Sequence, residues 1–371
     1  MSPGPQHAPD ADREPAATPG AAPDAPTPPV DLDAWRARSR PERLAANLAR
    51  LDERVLGWDA LRAEPYDVDS RRHRPLLFLH MPRTGGTTLE AVVARNYPAN
   101  LMLHVNAPDV LRHPDALFKL WAPHAATGRA RRAFAVLGHH KLDDPLYQYP
   151  AVPFVHVTLL RDPVARVVSH YKDLTRHERQ SRDAGHHDAD ALLAFLDANE
   201  RLECWNAQTL RLAGRLDRRT LRDPPDDAGM AELLAAAQDN LARRFSFFGL
   251  TDGLSAFLLV CRRLLGWREI LCWPRNVLER SALDQRVDDA LGDEVAQRLA
   301  AMNTWDARLL EFARALAAAR LAALGIGPAE VARLDEAQRR YRDLATVGID
   351  GPTVSAAADD TPAPDRREGS P

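Results

Sequence analysis

The segment Pro82-Arg-Thr-Gly-Gly-Thr-Thr88 sets two adjacent glycines among three threonines and one arginine. Gly85 and Gly86 permit backbone conformations in which successive N–H groups curl around an anion, and Thr84, Thr87 and Thr88 add hydroxyl donors. Such a loop has the build of a phosphate cradle; a tight β–α turn without a ligand is the plain alternative. No Lys follows Gly86, so the loop is not GxxxxGK[ST], and a triphosphate bound with magnesium loses support. A second pair is Arg161 and Ser169. On a helix that starts near Asp162, Ser169 lies two turns along, so guanidinium, hydroxyl and the helix dipole can face one phosphate. A surface ion pair of Arg161 with Asp162 or Asp173 is the alternative for that arginine.

The elements that must position these residues are legible in the flanking sequence. Pro75-Leu-Leu-Phe-Leu-His80 reads as a buried strand, and MPRTGGTT leads from it into the helix LEAVVARNY. Phe154–Leu160, rich in β-branched and apolar residues, reads as a central parallel strand. Asp162 is placed to cap the helix after it, with Pro163 in the first turn. Ala133–Gly138 is a further strand. From Asp188 onward the chain is Leu/Ala/Arg-rich helix, interrupted by the apolar Phe245–Leu250. Alternating strands and helices predict a parallel sheet flanked by helices, with a helix-rich C-terminal half and ligands at the carboxyl ends of the strands. Both special loops sit at such ends, so they are expected to be neighbours.

The chain has 371 residues, 45% of them hydrophobic, and a formal net charge of −3, enough for one large α/β domain or two small ones and with no global field to collect nucleic acid or anionic membranes. Cys204, Cys261 and Cys272 form no CxxC pair and no disulfide framework. No signal peptide and no membrane-length apolar run is evident, and a cytoplasmic location is expected. Residues 1–40 are expected to be a disordered tail, since Pro, Ala, Asp and Gly dominate their first 30 positions, and residues 346–371 another. Between them, residues 41–71 are expected to be an amphipathic helix and a linker: between Pro41 and Glu64, Leu44, Leu48, Leu51 and Val55 recur at helical spacing, predicting one helix that packs on its own domain.

Two motifs carry a resemblance to a known family. His80-Met-Pro-Arg-Thr-Gly-Gly-Thr-Thr-Leu89 is similar to the 5′-phosphosulfate loop of sulfotransferases that use PAPS (3′-phosphoadenosine 5′-phosphosulfate), in the branch with the heparan sulfate 2-O- and 6-O-sulfotransferases. Leu159-Leu-Arg-Asp-Pro-Val-Ala-Arg-Val-Val-Ser-His-Tyr171 resembles the family's 3′-phosphate motif, in which Arg161 and Ser169 take the phosphate. Gly138-His139, Asn206-Ala-Gln-Thr-Leu-Arg-Leu-Ala-Gly214 and Phe248-Gly-Leu250 extend the match from about Pro75 to Ala315. Two positions depart from the family: Arg83 stands where Lys is common, and the Arg of its Gln-Thr-Arg segment is replaced by Leu210 followed by Arg211.

The resemblance implies a P-loop-like sulfotransferase domain over residues 72–345, with PAPS as co-substrate, PAP as product and a hydroxyl acceptor on a carbohydrate. It implies donor contacts from Arg83, Thr84, Gly85, Gly86, Thr87, Thr88, Arg161 and Ser169. Transfer to an alcohol needs a group to take its proton, and a histidine is the usual choice. His139 is the expected base, with its neighbour His140 second and a structural histidine the alternative. Arg83 is expected to stabilise the leaving group. His177, His186 and His187, among Asp183, Asp188 and Asp190, form a polar turn-like stretch, and no metal is expected. Arg129, Arg131 and Arg132, and Arg215, Arg218 and Arg219, read as solvated faces or as contacts to an anionic glycan. Two rivals stand beside this reading: a nucleotide or small-molecule kinase of related fold, and a nucleotide- or glycan-binding protein without catalysis.

Overall fold

The computed structural model describes residues 31–63, 74–99, 102–105, 135–139, 141–148, 154–179, 193–196, 203–272 and 292–346. His140, the Arg129–Arg132 cluster, His186 and His187 lie outside them, as does the C-terminal tail from residue 347. Five strands, β1 Leu76–Leu79, β2 Met102–Val105, β3 Ala135–Gly138, β4 Val155–Leu160 and β5 Phe247–Leu250, form one parallel sheet in the order β2-β3-β1-β4-β5. Around it run α1 Leu32–Ala37, α2 Arg40–Arg54, α3 Trp58–Ala63, α4 Gly86–Asn96, α5 Pro163–Arg179 and α6 Ala207–Leu212. The later helices are α7 Arg218–Arg222, α8 Asp227–Arg243, α9 Leu254–Leu265, α10 Asp293–Met302, α11 Thr304–Ala323 and α12 Pro328–Thr346. The protein is therefore α/β with a helix-rich C-terminal half.

Every residue of β1 and β4 is buried, which is why β1 reads as an unbroken apolar run and β4 as an apolar, β-branched run interrupted only by His156 and Thr158. Successive side chains of a strand point to opposite faces, and β1 divides its own between two cores. Leu76 and Phe78 pack with Leu89, Val92 and Val93 of α4 and with Phe257, Leu258 and Cys261 of α9. Leu77 and Leu79 pack with Leu51 of α2, Leu212 of α6, Leu241 of α8 and Leu309 of α11. Truncating such a side chain to Ala costs about 2 to 5 kcal/mol, so the strand that carries the glycine loop is held from both sides.

The N-terminal region departs from expectation in two ways. Residues 31–40, assigned to the tail, hold α1 and the start of α2. Asp31 caps α1 through Asp33 N and Ala34 N, Ser39 and Glu42 form a capping box on α2, and Trp35 is 4% exposed beneath the Arg43 guanidinium. Two caps and one buried indole order a stretch whose mean composition matches a tail. The single expected helix is also two, because the chain leaves helical geometry at Val55, which forms a parallel bridge with Phe154. Leu56 N donates to Phe154 O at 3.2 Å and Phe154 N to Arg54 O at 3.0 Å. Strand β2, Met102–Val105, adds a strand beyond those expected from the sequence. Among the described residues no helix is long and apolar enough to cross a membrane.

Candidate active site

The carboxyl ends of three adjacent strands, β3, β1 and β4, bring the sequence-predicted residues to one edge of the sheet. In register, Leu79 of β1 faces Gly138 on one side and Thr158 on the other. His139 therefore follows β3, the glycine loop follows β1, and Arg161 follows β4, within about 10 Å of sheet width.

The loop after β1 turns through two left-handed residues, Arg83 at φ +66° and Gly85 at φ +91°. Gly85 is the N-cap of α4 and offers no side-chain cap, so the first amides of the helix have no intrahelical acceptor. Gly86 is required for a different reason: a Cβ there would lie 2.0 Å from Cδ2 of His80. Thr84 has a role other than the expected one. It is fully buried, and its hydroxyl donates to Met81 O at 2.9 Å, so it closes the loop. Thr87 is half-buried and Thr88 is 6% exposed. The Thr251 hydroxyl lies 2.6 Å from Thr84 O and 3.0 Å from Leu160 O, clipping the loop to the end of β4. Nothing local in the sequence marks Thr251 for this contact.

Arg161 is held through its backbone by one side chain. Gln208 Oε1 accepts from Arg161 N at 2.9 Å, and Gln208 Nε2 donates to Arg161 O at 2.9 Å. The Arg161 guanidinium in turn donates to Arg83 O at 3.0 Å. Burial, and then the positive charge of Arg83, lower its basicity. Helix α5 begins as the sequence indicates, with Pro163 at its start and Asp162 Oδ1 accepting from Ala165 N at 2.9 Å. From α5, Ser169 Oγ accepts from Arg83 Nε at 3.2 Å and Asp173 pairs with the same guanidinium at 2.8 Å. Arg83, Arg161 and Ser169, read from two separate motifs, are thus joined in one network.

Gln208 owes its position to helix α11. Asp306 is fully buried, and its carboxylate accepts from Gln208 N at 3.1 Å and Thr209 N at 2.7 Å. Asn206, left-handed at φ +46°, returns the contact by accepting from Trp305 N at 3.0 Å and Asp306 N at 3.1 Å. Two helix N-termini therefore cap each other, each supplying the acceptor that the other lacks.

On the other side of the loop, the His139 ring stacks on His80 at 4.5 Å between centroids, and His80 Nδ1 lies 3.0 Å from Glu90 Oε1. His139 Nδ1 is buried without a hydrogen-bond partner. Burial, His80 and Arg211 lower the His139 pKa to about 3, against the pull of Glu203 and Glu90. The imidazole is therefore neutral and able to accept a proton, but weakly basic. Arg211, at the family departure, is 7% exposed and donates to Glu203 Oε1 at 2.6 Å, while Arg166, 1% exposed, donates to Glu203 Oε2 at 3.2 Å and to its carbonyl. Burial raises the Glu203 pKa, but Arg211 and Arg166 outweigh it and hold the carboxyl below its ordinary range. Glu203, Thr251 and Asp306 escaped the sequence reading because their partners lie far away in the chain or, for Arg211, were not recognised as buried.

Among the described residues no group of three or more His, Cys, Asp or Glu is placed to hold a metal ion. The three cysteines are buried and free, and burial raises each thiol's pKa. No protein-family model matches the chain, and no curated protein matches it.

Proposed function

We propose that the chain is a sulfotransferase with a P-loop-like domain, moving a sulfuryl group from PAPS to a hydroxyl of a carbohydrate acceptor. The observation that carries this reading is the convergence of Arg83, Arg161 and Ser169 from two motifs at the ends of neighbouring strands β1 and β4. Open α/β sheets bind ligands at such edges, where the connections on either side of a central strand diverge. Here β1 is that strand.

In the proposed arrangement, Arg161 and Ser169 take the 3′-phosphate. The amides from Gly85 to Thr88, with the Thr87 and Thr88 hydroxyls, take the 5′-phosphosulfate. PAPS supplies an activated sulfuryl group. The acceptor hydroxyl oxygen forms a bond to sulfur as the bond from sulfur to the 5′-phosphate oxygen breaks, and the hydroxyl proton passes to His139. Charge builds on the departing oxygen, where Arg83 and the loop amides neutralise it. The weak basicity of His139 fits this scheme only if nearby negative charge raises it, and the nucleotide brings that charge. A cytoplasmic, reducing setting, in keeping with the free buried thiols, belongs to the same proposal.

The test is transfer of radiolabelled sulfate from PAPS to a panel of glycans, with PAP release measured in parallel. Labelled product that disappears in Arg161→Ala supports the proposal. Binding of PAP with no turnover on any acceptor favours a non-catalytic protein. Phosphate transfer from ATP with magnesium favours a kinase.

A further inference from the structure

We infer that Asp173 is the resident anion of the donor site: it holds the Arg83 guanidinium when no nucleotide is bound and releases it when one enters. This rests on the reading of the glycine loop as a donor site and adds a residue that neither motif assigns. Ser169 and Asp173 are one turn apart on α5 and so share a face of that helix. Both reach the same side chain, Ser169 Oγ through Nε at 3.2 Å and Asp173 Oδ1 through a terminal nitrogen at 2.8 Å. Arg83 is fixed from the opposite side as well, since its carbonyl accepts from Arg161 and its backbone is left-handed. Main chain and guanidinium are therefore both committed before any ligand arrives.

The commitment matters because a guanidinium presents its donors in a rigid planar fork. Ser169 and Asp173 engage Nε and a terminal nitrogen of Arg83, so an oxyanion that takes the terminal nitrogen competes with the carboxylate for it. The Arg83 side chain is 16% exposed and that of Asp173 31%, so the pair is sheltered more than a surface ion pair. Arg83 and Arg161 carry like charges close enough that Arg83 lowers the basicity of Arg161, and the Asp173 carboxylate sits on Arg83. Asp173 offsets that repulsion in the empty protein and sets a charge threshold for entry. A ligand with several negative charges displaces it; a singly charged sulfate ester or a neutral nucleoside does not. This makes Asp173 a positioning and specificity-determining residue.

The test is a double-mutant cycle on PAP affinity, read by calorimetry on the full chain, with inorganic pyrophosphate as a second probe. Asp173→Asn should tighten PAP about three- to tenfold, the scale expected for removing a partly sheltered competing pair. Asp173→Glu, which keeps the charge, should stay within about twofold of wild type. In an Arg83→Ala background, Asp173→Asn should change affinity little, because its effect runs through Arg83. Asp173→Ser serves as the neutral variant should Asn fold poorly. Equal tightening with and without Arg83 would show a long-range charge effect and overturn the inference, as would weaker or unchanged PAP binding in Asp173→Asn. If pyrophosphate tightens in the expected pattern while PAP binds no form, the role of Asp173 stands and the donor assignment falls. If neither ligand binds any form, both fall.

Discussion

The Arg161 guanidinium and the Arg83 carbonyl, on loops that follow two different strands, are joined by a hydrogen bond of 3.0 Å. The contact makes the two proposed phosphate sites one mechanical unit. Arg161 is itself clasped at its backbone by Gln208, which Asp306 holds in turn, so the unit is anchored in α11 across 98 residues of sequence. An anion that binds at either loop meets donors already oriented by the other.

Arg161→Ala should therefore weaken PAP more than loss of one phosphate contact alone, by about 1.5 kcal/mol at least and about 3 kcal/mol when the loop loosens too. Calorimetric affinity within a factor of about two of wild type would show that Arg161 serves only the loop.

Gly86→Ala should disrupt the site from within. The added Cβ would lie 2.0 Å from the His80 ring, which must then leave its place between Phe78, Glu90 and His139. An overpacked substitution of this kind costs about 1 to 3 kcal/mol. Urea unfolding should show that loss, and a wild-type midpoint would mean that the His80 stack is looser than the structure shows.

The loop, Arg161, Ser169 and the Asp162 cap stand out in the sequence because each depends on neighbours a few positions away. Strands β1 and β4 stand out because burial on both faces favours apolar and β-branched residues along the whole strand, with His156 and Thr158 the polar exceptions in β4. The break at Val55 does not, since the leucine spacing runs through it and only the pairing with Phe154 ends the helix. Strand β2 lies at the edge of the sheet with His104 exposed, so the sustained apolar run that marks the central strands is missing there. The hydroxyl of Thr84 was read as a ligand donor because its type permits that, whereas its burial and bond to Met81 appear only in three dimensions. Glu203 and Asp306 satisfy buried groups through tertiary contacts, for which the local pattern carries no signal.

His139→Ala should leave PAP affinity nearly intact and lower the rate by about 10² to 10⁴. The pKa of about 3 in the free protein implies that no rate limb near pH 6.5 belongs to His139 before the donor binds. Its imidazole resonances, followed by NMR, should titrate at higher pH once PAP is present. A midpoint unmoved by PAP would remove His139 as the base.

Stability should fall on mild acidification, and the sign follows from two histidines. His139 and His156 each have a folded pKa lowered to about 3 from 6.5, His156 by complete burial that its Nδ1 contact with Arg244 O only partly offsets. Below pH 6.5 the unfolded chain takes up protons that the folded protein refuses. The stability conferred by the neutral imidazoles is full above that pH and is lost as pH falls toward about 3, with a slope approaching about 1.4 kcal/mol per unit for each group. Urea midpoints from pH 7 to 5 should fall in wild type and fall less in His156→Asn. Equal slopes would assign the pH dependence to other groups.

The central claim, that the paired loops bind a 3′,5′-bisphosphate nucleotide, is tested most directly by thermal unfolding with millimolar PAP, set against ATP with magnesium. A ligand that binds only the folded protein at about 100 times its Kd stabilises it by about 2.7 kcal/mol. For a domain of this size that corresponds to a rise in Tm of several degrees, on the order of 5 °C. The expected result is a clear rise with PAP, a smaller one with ATP and magnesium, and little rise with PAP for Arg161→Ala. An unchanged Tm at millimolar PAP, or a larger rise with ATP and magnesium, would contradict the account.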